Sequence, residues 1–264
     1  MNYNKLLEIA INASLAGGLE IMKVYSSNFE VEHKKDKSPL TLADKNCHNT
    51  IEDYLSATNI PLLSEEGSNF DYADRKNWEY FWMVDPLDGT KEFVKRNGEF
   101  TVNIALIHNE SPIMGVIYVP VKKDLYFSLN GLGAFKFSNA SEKSYSLNDL
   151  ISSSLSLPIL TERECFTIVG SRSHMSAETE KFFNKKKEEY GDINILSVGS
   201  SLKLCMVAEG KADVYPRYAP TMEWDTAAGD AICRSSGFQV LQYKSEEPLR
   251  YNKEDLLNPW FLVK

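Results

Sequence analysis

Tyr80-Phe81-Trp82-Met83-Val84-Asp85-Pro86-Leu87-Asp88-Gly89-Thr90 is the stretch on which the reading of the fold turns. Five consecutive apolar or aromatic residues read as a buried strand. The acidic turn then falls at its carboxyl end, where open α/β sheets place their ligands. Asp85 and Asp88, three residues apart on a tight turn, can bind a hard divalent cation, and the Gly89 and Thr90 amides beyond them can meet an anion. Asp-Pro and Asp-Gly are also ordinary turn dipeptides, so a site is implied only if further ligands lie elsewhere in the chain.

Three other acidic segments qualify. Ser64-Glu65-Glu66-Gly67 follows a short apolar run, Ile60 to Leu63; alone, the glutamate pair reads as readily as solvated charge. Trp224-Asp225-Thr226-Ala227-Ala228-Gly229 precedes helical periodicity, so Asp225 reads as a helix cap, and a cap held in one place is compatible with metal ligation. Asp44, closing the segment from Asp36, lies near the start of another helix and has the same capping reading.

The chain has 264 residues, 43% hydrophobic and 25% charged, which describes an ordinary globular protein with ample core. A net charge of −8 without a basic run argues against a nucleic-acid-coating surface. An anionic substrate would then need local charge inversion by cations and a few placed Lys or Arg residues. Cys47, Cys165, Cys205 and Cys233 are widely spaced and read as reduced thiols of a cytoplasmic protein. The four histidines show no zinc spacing, so the metal reading rests on carboxylates. The N-terminal apolar stretch is interrupted by Asn12, Ser14 and Glu20 and reads as an amphipathic core helix, not a membrane span.

The pattern predicts helices over 3–25 and 42–57 and an antiparallel meander over 100–137, with turns at Ser111-Pro112 and Asn130-Gly131. A polar stretch, 138–156, separates this from strands at 165–170, 193–198, 213–215 and 238–243 alternating with helices at 176–189, 200–210 and 225–236. That alternation implies a mostly parallel or mixed sheet covered by helices. Two lobes are expected: residues 1–150, with the carboxylates and the meander, and residues 151–264, an α/β lobe that completes the site.

Glu65-Glu66, Asp85-Pro-Leu-Asp88-Gly-Thr90 and Trp224-Asp225-x-Ala-Ala-Gly229 together resemble the magnesium-dependent, lithium-sensitive inositol monophosphatase superfamily. The fold this implies is of the α/β class, an α+β layered sandwich of alternating helix and sheet layers. Thr90-Lys91-Glu92-Phe93, Gly170-Ser171-Arg172-Ser173-His174, Val198 to Lys203 and Tyr215-Pro216-Arg217 resemble the CysQ-type 3′(2′),5′-bisphosphate nucleotidase branch.

The resemblance implies a Mg²⁺-dependent phosphomonoesterase with two ions and a weaker third. Glu65, Asp85 and the Leu87 carbonyl would hold the first ion; Asp85, Asp88 and Asp225 would hold the second. Thr90 and Asp44 fit a pair that orients and deprotonates the attacking water, with Asp44 also near the third ion. Glu66 is expected behind these ligands. The Gly89 and Thr90 amides would cradle the phosphate being cleaved. Lys203 and Arg217 are candidates for the phosphate that stays, and Gly199, Ser171 and His174 for the nucleoside; Lys91 could separate nucleotide from inositol substrates.

The substrate implied is adenosine 3′,5′-bisphosphate, cleaved to AMP and phosphate, with 3′-phosphoadenylyl sulfate as a second substrate and a place in sulfate assimilation. The alternatives are an inositol or sugar phosphatase on the same metal site, or a non-catalytic nucleotide or metal sensor. The partner is a small bisphosphorylated nucleotide rather than a nucleic acid polymer, and loose association with the inner membrane's cytoplasmic face is compatible with the N-terminal helix.

Overall fold

A computed structural model describes residues 1–27, 31–33, 39–68, 70–141, 143–159, 162–170 and 176–264. Helix α1 (Tyr3–Tyr25) starts where the Asn2 side chain accepts a hydrogen bond from the Lys5 amide. A short ribbon, β1 (Val31–His33) with β2 (Pro39–Thr41), leads into α2 (Leu42–Ser56). Then come β3 (Leu62–Ser64), α3 (Tyr72–Arg75), β4 (Tyr80–Asp88) and α4 (Thr90–Val94). The expected meander follows as β5 (Thr101–His108), β6 (Ser111–Val119), β7 (Asp124–Leu129) and β8 (Gly133–Phe137).

One expected turn lies elsewhere. Ser111-Pro112 begins β6, and the reversal is made by Asn109 and Glu110, both in the left-handed region at φ 47° and 62°. Such a pair matches a twisted two-residue hairpin. Pro112 cannot donate to the ladder, and the β5–β6 register shifts opposite it, between Leu106 and Ile107.

The polar stretch after the meander contains α5 (Leu147–Ser152) and β9 (Leu155–Ser156), which pairs with β8. Seven strands therefore form one sheet in the order β3-β4-β5-β6-β7-β8-β9, with β3 and β4 parallel and the rest antiparallel. Beyond it lie β10 (Phe166–Gly170), α6 (Ala177–Tyr190), β11 (Ile193–Ser197), α7 (Leu202–Ala208) and β12 (Tyr215–Arg217). A 3-10 turn (Glu223–Asp225), α8 (Ala227–Ser235), β13 (Val240–Gln242) and β14 (Phe261–Val263) complete the chain. β10 and β11 are parallel, a bridge from Ile168 to Val214 joins them to β12, and β12-β14-β13 is antiparallel. This is the mixed sheet that the alternation predicts.

The layers alternate. Helices α1 and α2 cover one face of the large sheet, α7 and α8 fill the space between the two sheets, and α6 packs outside the smaller one. The Ala-Ala-Gly run after Asp225 has a packing reason: a Cβ at Gly115 of β6 would lie 2.2 Å from the Ala228 carbonyl, and one at Gly229 would lie 2.6 Å from Leu204 Cδ1. Close approach on both sides of α8 needs small residues. Among the described residues no helix is long and apolar enough to cross a membrane.

Candidate active site

The carboxyl end of β4 carries the acidic turn. Asp85 pairs with Asn103 of β5 and Asp88 with Thr101, and the register shifts between them, a bulge that sets the spacing of the two carboxylates. The Leu87 amide donates to Asp85 Oδ1 at 3.0 Å, which fixes that side chain in a local turn. Gly89 follows at φ 92°, a conformation that favours glycine, and a Cβ there would approach the Glu99 carbonyl at 3.1 Å.

Asp225 reaches the same place from the other side. It ends the 3-10 turn rather than starting α8, whose cap position is Thr226, and its Oδ2 accepts from the Met222 amide at 2.9 Å. Asp225 is therefore not the cap of α8 that the sequence suggests; as the third residue of the 3-10 turn, it folds its carboxylate back onto the amide at the turn's start. The turn is anchored from beneath: buried Glu223 accepts from the Asn252 amide at 2.5 Å and the Lys253 amide at 3.1 Å, and Asn258 Nδ2 donates to the Met222 carbonyl at 2.8 Å.

Asp85, Asp88 and Asp225 each offer an oxygen within 4.8 Å of the others. Asp85 is buried, and its pKa is raised well above the ordinary carboxylate value by that burial and then by the charges of Glu65, Asp88 and Asp225. Asp225 is raised similarly, first by burial and then by Asp88. Asp88 is raised to about 6 by burial, although Lys203 and the Ser201 amide, 2.5 Å from its Oδ2, oppose the shift.

Glu65 enters through the turn after β3, where its amide donates to the Val84 carbonyl at 3.1 Å and its carboxyl is hydrogen-bonded to Asp85. The Glu65 charge is among those that raise Asp85, and a divalent cation held between the two carboxyls relieves that repulsion. Oxygen-only donors with this much negative charge suit a hard cation such as Mg²⁺. Glu66 is half-buried in the same turn.

Asp44 is the third residue of α2 and forms a capping box with Thr41: its Oδ2 accepts from the Thr41 amide at 2.8 Å and the Thr41 hydroxyl at 2.6 Å. Its other oxygen, Oδ1, accepts from the Thr90 hydroxyl at 3.2 Å; the Leu87 carbonyl lies 3.3 Å from that hydroxyl. The predicted pair is therefore in contact.

Asp88, Asp225, Gly89, Gly199, Lys203 and Arg217 line one narrow cleft of about 130 Å³. Lys203 is buried; its Nζ donates to the Ser200 carbonyl at 2.6 Å, and burial lowers its pKa to about 8 against the pull of Asp88. Arg217 donates to the Pro220 carbonyl at 2.8 Å, while its Nε is buried with no hydrogen-bond partner among the described residues. Burial raises Tyr215, also on the cleft wall, to about 12. Lys91 is exposed on α4, and its neighbour Glu92 lines the cleft instead. Ser171 and His174 lie outside the described residues.

Sequence reading missed two residues that shape the cleft. The Ser201 amide holds Asp88, and Glu99 Oε2 accepts from the Gly199 amide at 2.9 Å. Gly199-Ser200-Ser201 before a helix was a visible signal for the first; nothing in the sequence linked Glu99 to a loop a hundred residues away.

A sequence model of the inositol monophosphatase family matches residues 2–260. The chain is 42% identical to the 3′(2′),5′-bisphosphate nucleotidase CysQ of Shigella flexneri over 265 aligned positions, covering 98% of each. The crystal structure of CysQ from Bacteroides thetaiotaomicron, described as a bacterial member of that family, superposes with a TM-score of 0.93 at 52% identity, covering 100% of this chain and 98% of that one. An inositol monophosphatase from Anabaena shares the fold at a TM-score of 0.71 and 24% identity, over 100% of this chain and 92% of its own.

Proposed function

The chain belongs to the inositol monophosphatase family, and on that premise we propose that it is a 3′(2′),5′-bisphosphate nucleotidase. It removes the 3′-phosphate of adenosine 3′,5′-bisphosphate to give AMP and phosphate. 3′-Phosphoadenylyl sulfate is a second substrate, and the enzyme supports sulfate assimilation by clearing the bisphosphate. The observation that carries the reading is the meeting of an acidic cluster with two cationic side chains, Lys203 and Arg217, in one cleft. A monophosphate needs only the acidic part and its cations; a second phosphate needs the cationic side chains.

The enzymes of this family are metal-dependent, and we assign the cofactor as Mg²⁺, two ions with a weaker third. Glu65, Asp85 and the Leu87 carbonyl would hold one ion, and Asp85, Asp88 and Asp225 the other. Bound there, the cations supply Lewis acidity that draws charge from the phosphoryl oxygens and from the attacking water.

The remaining work belongs to the chain. Thr90, donating to Asp44, keeps its lone pairs free to accept a hydrogen from the water. As the water oxygen bonds to phosphorus, its proton passes to Thr90 Oγ1 and the Thr90 proton to Asp44 Oδ1. The bond from phosphorus to the 3′-oxygen breaks, and that oxygen leaves with a proton from solvent. The Gly89 and Thr90 amides cradle the transferred phosphoryl group. Lys203 and Arg217 hold the 5′-phosphate, and Gly199 touches the nucleoside, as would Ser171 and His174. Glu66 steadies Glu65. We regard residues 1–150 and 151–264 as lobes of one catalytic unit, and place it in the cytoplasm on its four unpaired thiols.

Phosphate release from adenosine 3′,5′-bisphosphate and from inositol 1-phosphate, with and without Mg²⁺, tests the assignment. Preference for the inositol ester would replace it with an inositol phosphatase; binding without turnover would leave a sensor.

A further inference from the structure

The smaller sheet has a second face. Along β14, Phe261 lines the catalytic cleft, while the next residue, Leu262, lines a different and larger cavity of about 670 Å³. Successive strand residues point to opposite faces, so the sheet that carries Arg217 is the wall between the two.

This second cavity is basic in an acidic protein. Lys181 and Lys185 of α6 line it together with Lys244 and Lys264, and among the described residues only Glu178 and Glu246 line it with opposite charge. Lys264 lies 3.3 Å from Glu246, whereas Lys181, Lys185 and Lys244 make no ion pair among the described residues. Lysines gathered without matching carboxylates repel one another, an arrangement that an anion relieves.

The floor is aromatic. Phe182 meets Tyr218 at 6.0 Å between ring centroids, and Tyr218 meets Tyr243 at 4.6 Å. Tyr243 is 41% exposed and Lys244 Nζ lies 5.8 Å from its ring centroid, so an aromatic surface and a cation stand together at the rim. The turn beyond it is strained: Lys244 and Glu246 both sit in the left-handed region, at φ 77° and 58°, without glycine's freedom. Strain of this kind costs on the order of 1–3 kcal/mol per residue and gathers where side chains are held for a purpose. Here it holds Lys244 at the rim.

We infer that this cavity is a binding site for a nucleoside phosphate, separate from the catalytic cleft: the lysines take the phosphates and the Tyr243 ring takes the base. The volume falls within the roughly 300–1,000 Å³ of small-molecule pockets. An inorganic anion would leave the aromatic floor unused, and a nucleic acid would need a longer basic surface than this chain offers.

Calorimetric titration with ATP in EDTA, which keeps divalent cations out of both sites, tests the site directly. The chain is compared with Lys181→Glu/Lys185→Glu, with Tyr243→Ala and with Lys203→Ala, and sodium tripolyphosphate is titrated in parallel. One ATP is expected to bind, weakened by at least about tenfold in the double lysine variant and in Tyr243→Ala but not in Lys203→Ala. Tripolyphosphate is expected to bind at least about tenfold more weakly than ATP. The double variant, changed only at exposed positions, should keep its circular dichroism and its turnover of adenosine bisphosphate. The inference is overturned by absence of ATP binding, by binding that survives the lysine reversals or vanishes in Lys203→Ala, or by tripolyphosphate binding as tightly as ATP.

Discussion

The Thr90 hydroxyl donates to Asp44 Oδ1 at 3.2 Å, while the other oxygen of that carboxylate is held by the amide and hydroxyl of Thr41. One oxygen is thus committed to positioning, and the other faces the reacting side. If the two residues move one proton in sequence, Thr90→Ala and Asp44→Asn should each lower kcat by about 10²–10⁴. The double variant should be little worse than the poorer single one, because groups acting as a unit are not additive. Fully additive losses would separate the pair.

Asp88 is the carboxylate whose loss should abolish activity without harming the fold. It sits among like charges, so Asp88→Asn removes repulsion, and the asparagine oxygen can still accept from the Ser201 amide. We expect kcat to fall by about 10³ or more, with unchanged circular dichroism and a smaller rise in Tm on adding Mg²⁺ than the unaltered chain shows. Retained activity would contradict the metal assignment.

The acidic cluster sets a pH dependence. Asp85 and Asp225 have raised pKa values, and Asp88 moves from 3.8 to about 6. Between those values the folded chain binds more protons than the unfolded one. Its contribution to stability is therefore present at low pH and lost as pH rises through that window and above. Divalent cations replace the protons. In EDTA-treated protein, the Tm gained on adding Mg²⁺ should be larger at pH 8 than at pH 5, and an equal gain at both would show that the carboxylates carry no such shift.

Lys203 titrates in the opposite sense. Burial lowers its pKa to about 8, so its charge is present below that value and lost above it. The kcat/KM for adenosine 3′,5′-bisphosphate, which reports the free enzyme, should fall as pH rises past about 8. Lys203→Ala should raise KM and flatten that limb. An unchanged profile in the variant would assign the limb to another group.

Gly115 supports Asp225 from a distance. A methyl group there would lie 2.2 Å from the Ala228 carbonyl, on backbone that cannot yield locally. Gly115→Ala should push α8 away from the sheet and lower stability by about 1–3 kcal/mol or more, measured by urea denaturation. Because α8 begins only two residues after Asp225, the Mg²⁺ requirement should rise as well.

Much of this was legible in sequence because it was local. Periodicity placed α1, α2 and the meander, and Asp44 at a helix start is a short-range capping signal. Asp85, Asp88 and Asp225 were recognisable by residue type and motif. What sequence hid was long-range: the Glu99 carboxylate on the Gly199 amide, the Glu223 clamp on residues 252 and 253, and the mixed pairing that places β14 between β12 and β13. Such contacts depend on tertiary approach, which no local period encodes. The shift of the turn from Ser111-Pro112 to Asn109-Glu110 has a different cause, since a proline can begin a strand as well as make a turn.

The most direct test is the rate of phosphate release, in Mg²⁺, from adenosine 3′,5′-bisphosphate and inositol 1-phosphate side by side, for the unaltered chain and for Lys203→Ala. The bisphosphate should be the better substrate by kcat/KM, and the lysine variant should lose that preference while retaining turnover. Faster hydrolysis of inositol 1-phosphate by the unaltered chain would contradict the assignment.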